Sequence, residues 1–594
     1  MDNMEITELL DKSLELINKE QFEEANELLQ KASKLEPDNI EILKNLGLTL
    51  INLQDFTHAR EIFSKVVKID PDNANAWYYL GSIQEKLDEF NEALVSHKKV
   101  IELRPQYIDA YKALGVLYLK TGRFDELINT IEKALEIEKE DYQLFYIISS
   151  AYMAKKEDNL ALKYLEEAHR LNPSHIQILN NISTCYIAKG EYDLAEKYLR
   201  AALELDNKNS STNYNLGSLY QLKGKFEEAF ICFNTAYIKE PSTTFLSSLA
   251  YCAIQAGRWE TACNLYKSLV AIHPEKFNFK MNYLNCCIQT GKYKEGLDIA
   301  EKLVKLNSKS IDIQKKLAYL YRLNKKPQNA IEILEKLLKR GKIDFEICYN
   351  LGIAYVNINE FEQGKENLKK CVSLEPDNPI ARKDLGILYL KMNYVDWALD
   401  EFQNAINLEP SNPEHYFNIA VAYHKTQEYD KADKYFKKML ELDEDNPSYL
   451  TCYGENLLAL GKNDKAKEIL LKAIKTQNVN YKAKFALAKI YFEEKNYKTS
   501  NDLLLDIKDT VNNPEILNLM AQNFMKLKDY KTAAGILSKL KEAYPDNHIL
   551  LCDLAKCEIK IGEFNNAKEN IKQALMRFPG FDYGLKLLKE VEKQ

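Results

Sequence analysis

The chain has 594 residues, of which 46% are apolar and 28% charged, with a formal net charge of −7. That balance fits a folded soluble protein rather than a disordered one. Its mild acidity argues against a nucleic-acid or anionic-membrane partner. No stretch approaches the about 18 consecutive apolar residues of a transmembrane helix. The eleven cysteines are an odd number with no C-x-x-C pair, and read as reduced thiols.

The chain opens on Met-Asp-Asn-Met-Glu, acidic and without the charged-then-apolar layout of a secretory signal, so a cytoplasmic location is expected. Glu5, Glu8, Asp11 and Glu15 suit a solvated first helix. From Ile6 onward the sequence repeats. With each repeat divided into slots 1 to 34, seventeen units tile the chain: 6–39, 40–73, 74–107, 108–141, 142–175, 176–209, 210–242, 243–276, 277–310, 311–344, 345–378, 379–412, 413–446, 447–480, 481–513, 514–547 and 548–581. So short a period overrides the usual prior of about 150 residues per domain. It predicts one continuous solenoid over 6–581, closed by a capping helix over 582–594 in which Leu585, Leu588 and Val591 cover the last hairpin.

Each unit reads as two amphipathic helices joined by a tight turn. In 210–242, Leu216, Gly217 and Tyr220 share one stripe and predict a helix over 211–222. Gly224 ends it, a second helix runs over 226–238 with Ala229, Phe233 and Ala236 inward, and Pro241 stops the chain. Slot 20 is alanine in thirteen units, and slot 8 is Gly, Ala or Ser in all but unit nine, where it is Leu284. Small residues at both slots predict a close crossing of the two helices. Tyrosine fills slot 11 in nine units, as packing knobs. Ten of the fifteen prolines occupy slot 32, four occupy slot 1, and seven glycines occupy slot 15, the turn within the hairpin.

The set Leu216-Gly217, Tyr220, Ala229, Phe233 and Pro241 resembles the tetratricopeptide repeat (TPR), and the resemblance covers essentially the whole chain. It implies an all-α, right-handed superhelical solenoid of about 17 hairpins. It also implies that slots 2, 5, 6 and 9 of the first helices line a concave groove able to hold an extended peptide or a partner helix. Slot 6 is asparagine in six units: Asn45, Asn181, Asn215, Asn282, Asn350 and Asn418. A primary amide both donates and accepts, so such a column can hold peptide backbone whatever the side chains. It resembles the asparagine ladder in the TPR superhelix of protein O-linked N-acetylglucosamine transferases, although Tyr79, Ala113, Ile147, Asp384 and Cys452 interrupt it. The tail after residue 581 is too short for a catalytic domain, so the resemblance implies the groove and not the activity. The dicarboxylate clamp of chaperone-binding TPR domains is not matched by any three consecutive units; the single slot-9 asparagine, Asn285, has Met281 at slot 5.

Aromatic residues recur at slot 5: Tyr78, Tyr146, Tyr214, Tyr349, Phe417 and Phe485. They either contact a partner, Tyr214 and Tyr349 being the candidates, or pack on the neighbouring hairpin. Charge is uneven. Residues 1–50 carry net −7 and residues 301–345 net +7, with Lys315 and Lys316 at slots 5 and 6. These lysines either sit on a solvated face or favour an acidic partner segment. Catalytic signals are missing. Cys185, Cys252, Cys286 and Cys557 fall at slot 10, a small apolar position, and the histidines and glycines follow no metal- or phosphate-binding spacing. The expected function is a non-catalytic protein–protein interaction scaffold with no cofactor or metal, no nucleic-acid partner and no membrane insertion. The alternative is an accessory subunit of a separately encoded enzyme, such as a glycosyltransferase or a cell-envelope assembly complex.

Overall fold

The structure, a computed structural model, describes residues 2–477, 480–508 and 513–593, with side chains from Ile6 onward. Thirty-five helices follow one another, and there is no strand among the described residues. The predicted hairpin is present in each unit. In the seventh, the helices span Ser210–Leu222 and Phe226–Lys239. First helices begin at slot 1 because slot 34 caps them: the side chains of Asn39, Asn73, Asn209, Ser242, Asp344 and Asn412 accept from backbone N–H groups of the turn that follows. Pro379, Pro413, Pro447 and Pro514 each occupy the first helical turn, where no N–H is needed. Among the described residues no helix is long and apolar enough to cross a membrane.

The turn within the hairpin imposes one backbone state. Slot 15 has positive φ in all seventeen units, whether glycine, as at Gly224 (+72°), or not, as at Gln54 (+61°), Lys156 (+62°) and Asn393 (+66°). Ten side chains are therefore held in the left-handed region at a cost of roughly 1 kcal/mol each. The geometry of the fold imposes this state, and the seven glycines only relieve it.

The two helices of a hairpin meet at slots 8 and 24. The slot-24 side chain, such as Phe63, Phe233, Phe402 or Phe436, is fully buried, and burying one such ring contributes about 1.5–3 kcal/mol. It lies against the small slot 8. A methyl group added to Gly217 would come within 2.9 Å of the Phe233 ring, and one on Gly386 within 2.6 Å of Phe402. Unit nine reverses the sizes, with Leu284 at slot 8 and Ala300 at slot 24, both fully buried.

The chain forms two compact units, Met1–Ile299 and Ala300–Gln594, which divide within the helix Tyr293–Leu306. In the first, successive buried clusters contain Phe63, Ile131 and Phe233. In the second they contain Leu334, Phe402 with Phe436, Leu537 and Ile571. Glu8, Asp11 and Glu15 of the first helix are exposed as expected, and the Glu5 side chain lies outside the described residues. The last helix, Asp582–Val591, packs on the seventeenth hairpin through Leu587 and Val591, with Leu588 partly buried. Leu585, expected to cover that hairpin, is exposed instead. The buried stripe runs 584, 587, 588 and 591 at helical spacing, and 585 falls off it.

Two substitutions separate these constraints. Gly386→Ala gains up to about 1 kcal/mol of helix propensity but presses on a ring that is packed on all sides, so a net loss of about 1–2 kcal/mol is expected from the shift in the urea midpoint. Hairpin thirteen sets Ala420 opposite Phe436 in the same core, so the loss measures how far one hairpin can widen between fixed neighbours. Lys156→Gly removes left-handed strain at an exposed turn, and the stability read from the same midpoint should rise by about 0.5–1 kcal/mol.

Candidate groove face

Within each first helix the sequence divides into a buried and a solvated side. In the seventh hairpin Thr212, Leu216, Gly217 and Leu219 are buried, while Ser211, Asn215, Ser218 and Leu222 reach solvent at slots 2, 6, 9 and 13. That spacing, i, i+4, i+7, i+11, forms one stripe along the helix. Slot 5 lies to its side and points to the next hairpin.

The six slot-6 asparagines differ in what they touch. Asn45 and Asn215 are half-buried, and among the described residues their side-chain amides have no hydrogen-bond partner. Burial pushes the Tyr146 phenol pKa up, and Asn181 of the next hairpin, set beside it, holds it back. Asn282 donates to the Tyr266 hydroxyl at 3.1 Å. Asn350 is buried and committed on both sides: it donates to the Glu346 carbonyl at 3.0 Å and accepts from Arg322 Nε at 3.1 Å. The Asn418 amide nitrogen is buried without a partner. The column is thus two free amides, two set beside tyrosine hydroxyls and two turned inward.

Slot 5 bridges hairpins. Tyr214 packs on Phe245 of the next hairpin with ring centroids 5.0 Å apart, and Phe417 on Tyr449 at 4.9 Å. The Tyr349 hydroxyl donates to Asp384 at 2.6 Å, and burial together with that carboxylate pushes the phenol pKa up. Asn180 donates to Thr212 at 3.0 Å. Lysines at slot 5 act alike: Lys112 lies 2.5 Å from Asp141, and Lys383 lies 3.1 Å from Glu414. Lys315 sits between Asp344 at 3.0 Å and Glu346 at 2.6 Å, and Lys316 pairs with Asp312 at 2.6 Å. Both lysines of the basic segment therefore have acidic partners within the chain. For the aromatics this was one of the two readings the sequence left open, whereas the lysine and asparagine ties were not read from it. The signal for the lysines is the recurrence of acidic residues at slots 34 and 2 of the adjoining repeat boundary, as at Asp141, Asp344, Glu346 and Glu414. The thiols at slot 10 are buried, and burial pushes those of Cys286 and Cys557 up to about 12.

Models described as tetratricopeptide repeat match residues 16–83, 74–107, 110–141, 152–208, 181–243, 248–276, 316–340, 345–378 and 519–547. A model described as YpiA-like, C-terminal tetratricopeptide repeats matches 413–477. No curated protein matches the chain. Among solved structures, a tetratricopeptide repeat protein from Parabacteroides merdae ATCC 43184 is 16% identical over 42% of this chain and 99% of its own, with a TM-score of 0.36. Naa15/Naa10 bound to HypK-THB gives 16% identity over 99% of this chain and 96% of the other, with a TM-score of 0.28. YrrB, described as a TPR protein with an unusual peptide-binding site, gives 25% identity over 31% and 96%, with a TM-score of 0.27. The repeat models and the helix pairs agree on an all-α superhelical repeat fold.

Beside the groove face, charge is gathered onto the second helices. Lys223, at slot 14 of the seventh hairpin, reaches Asp193 and Glu196 of the preceding one, both at 2.9 Å. Glu196 also accepts from Arg200 at 2.7 Å and from the Tyr220 hydroxyl at 3.1 Å. Burial pushes the Glu196 carboxyl up, but the hydrogen bonds from Lys223, Arg200 and Tyr220 outweigh it and hold the group down at about 2. The folded value lies below the unfolded one of 4.5, so the stabilisation is full above 4.5 and is lost as pH falls towards 2. Glu196→Gln should therefore melt below the wild type at neutral pH, and the gap should close over that window when melting is followed by circular dichroism.

Proposed function

We infer that this chain, which belongs to the tetratricopeptide repeat proteins, is a protein–protein interaction scaffold whose first-helix face holds an extended segment of a partner. The observation that carries this reading is the pair of half-buried, unpartnered amides of Asn45 and Asn215, set on stripes whose slot-2 and slot-9 neighbours reach solvent. An amide fixed at its Cβ end, with donor and acceptor both free, pairs with one peptide unit and loses little side-chain entropy in doing so. Asn181 and Asn282 stand at the same slot and exchange a tyrosine hydroxyl for the partner's backbone. Lys315 and Lys316, paired with acids of their own chain, contribute little net attraction, and Tyr214 and Tyr349 act by fixing the spacing of adjacent hairpins. The scaffold is non-catalytic in this reading: its groove offers positioned hydrogen bonds and leaves the buried thiols out of reach.

The test is affinity purification with mass spectrometry, followed by titration of the recovered partner. Asn181→Ala, Asn215→Ala and Asn282→Ala combined should weaken binding by about tenfold or more, since each lost hydrogen bond is worth about 0.5–1.5 kcal/mol. Helicity should be unchanged. Asn350→Ala, whose amide is already committed, should leave the partner affinity within about twofold. Equal affinity for the triple variant and the wild type would remove the asparagines from the site.

A further inference from the structure

The first helices of hairpins five to nine, Tyr142–Ala154, Ile176–Ala188, Ser210–Leu222, Thr243–Gln255 and Phe277–Gln289, together contain one charged side chain, Lys280. In a chain that is 28% charged this is a confined exception. The second helices of the same hairpins are ordinary: Asp158–Leu171 alone carries Asp158, Lys163, Glu166, Glu167 and Arg170. Lys280 stands at slot 4, off the solvated stripe. The stripe itself, slots 2, 6, 9 and 13, is uncharged in all five helices and dominated by Asn, Gln, Ser and Thr, as in Gln177, Asn181, Thr184 or Asn278, Asn282, Asn285. Charge returns on either side in the sequence, with Asp109 and Lys120 before and Asp312 and Lys316 after. Lysines at the stripe's edge are drawn off it. Lys155 pairs with Asp125 at 3.0 Å, Lys189 with Glu191 at 3.0 Å, and Lys223 with Asp193 at 2.9 Å. Among the described residues, the side chains of Gln177, Asn215, Ser248, Asn278 and Asn285 have no hydrogen-bond partner.

We propose that these five hairpins form a window that selects uncharged polar polypeptide, an extended segment rich in Ser, Thr, Asn, Gln or Gly. This rests on the groove reading above and adds its specificity. A charged residue brought onto this stripe loses water and finds no counter-charge, whereas a peptide unit or a neutral polar side chain meets groups that both donate and accept. Selection is therefore by exclusion of charge as much as by attraction. At helix spacings of about 8–10 Å the five first helices span roughly 40 Å, the reach of about 12 extended residues. A polypeptide is favoured over a neutral glycan because the stripe carries a single exposed aromatic ring, Tyr251, and offers sugar rings little to stack on.

The experiment is selection of a random 12-residue peptide display library on the full chain, with a neutral oligosaccharide array in parallel. Enriched peptides should be depleted in Asp, Glu, Lys and Arg, and their affinity should change less than about twofold between low and high salt. Asn215→Lys should weaken them about tenfold or more, while Asn404→Lys, on an exposed second-helix face outside the window, should not. Both variants should keep the wild-type melting curve. Enrichment of charged peptides, or of uncharged ones indifferent to Asn215→Lys, overturns the window and leaves the scaffold reading intact. Binding of a neutral oligosaccharide that Asn215→Lys abolishes overturns the polypeptide assignment. Failure to enrich any peptide overturns the groove reading and the window with it.

Discussion

The contact between slots 8 and 24 sets the spacing on which the rest of the hairpin depends. A fully buried side chain from the second helix, Phe63, Ile131, Phe233, Leu368 or Leu470, enters a gap left by Gly47, Gly115, Gly217, Gly352 or Gly454 on the first. One such contact fixes how near the two helices lie and how far each is rotated. The stripe of slots 2, 6, 9 and 13 is then turned away from the second helix, and slot 5 is turned towards the next hairpin. Helix propensity alone would not choose this arrangement, since glycine costs about 1 kcal/mol in a helix. Packing of a large apolar group against it contributes more.

Because slot 5 is used between hairpins, the chemistry left exposed on the first helices is narrower than a list of their residues suggests. Tyr214, Tyr349, Phe417 and Lys315 act as ties, by ring contact, hydrogen bond or ion pair. What remains outside these ties is the stripe itself, and there the six slot-6 asparagines fall into three pairs. Asn45 and Asn215 are free, Asn181 stands beside the Tyr146 hydroxyl and Asn282 donates to that of Tyr266, and the Asn350 and Asn418 amides are turned inward. The six amides therefore differ in what each has left to bond.

Electrostatics follow the same division of labour. Ion pairs such as Lys223 with Glu196 and Lys155 with Asp125 hold slot-14 lysines on the neighbouring second helix. Exposed pairs of this kind add little stability, about 0–1 kcal/mol each. They do draw the slot-14 lysines away from the first-helix stripe of hairpins five to nine, which carries no charge of its own. The same repeat thus serves as a rigid frame and as a surface whose polarity changes along the chain.

The repeat period, the hairpin, the inward Ala229 and Phe233, the small slot 8 and the proline and glycine punctuation were all determined by the sequence itself. Those features express local rules, helical period and backbone permission, that act within a few residues. The left-handed state at Gln54 or Lys156 was not legible there, because neither residue favours it and only the closed hairpin imposes it. Nor was the role of slot 5: an aromatic at helical spacing reads alike whether it meets a partner or the next hairpin. The split among the asparagines depends on Arg322, Tyr146 and Tyr266, which lie 16 to 35 positions away and meet them only when hairpins fold and stack. Tertiary structure decided these because an amide's availability is a property of its neighbours in space, and the chain sets its neighbours only by packing.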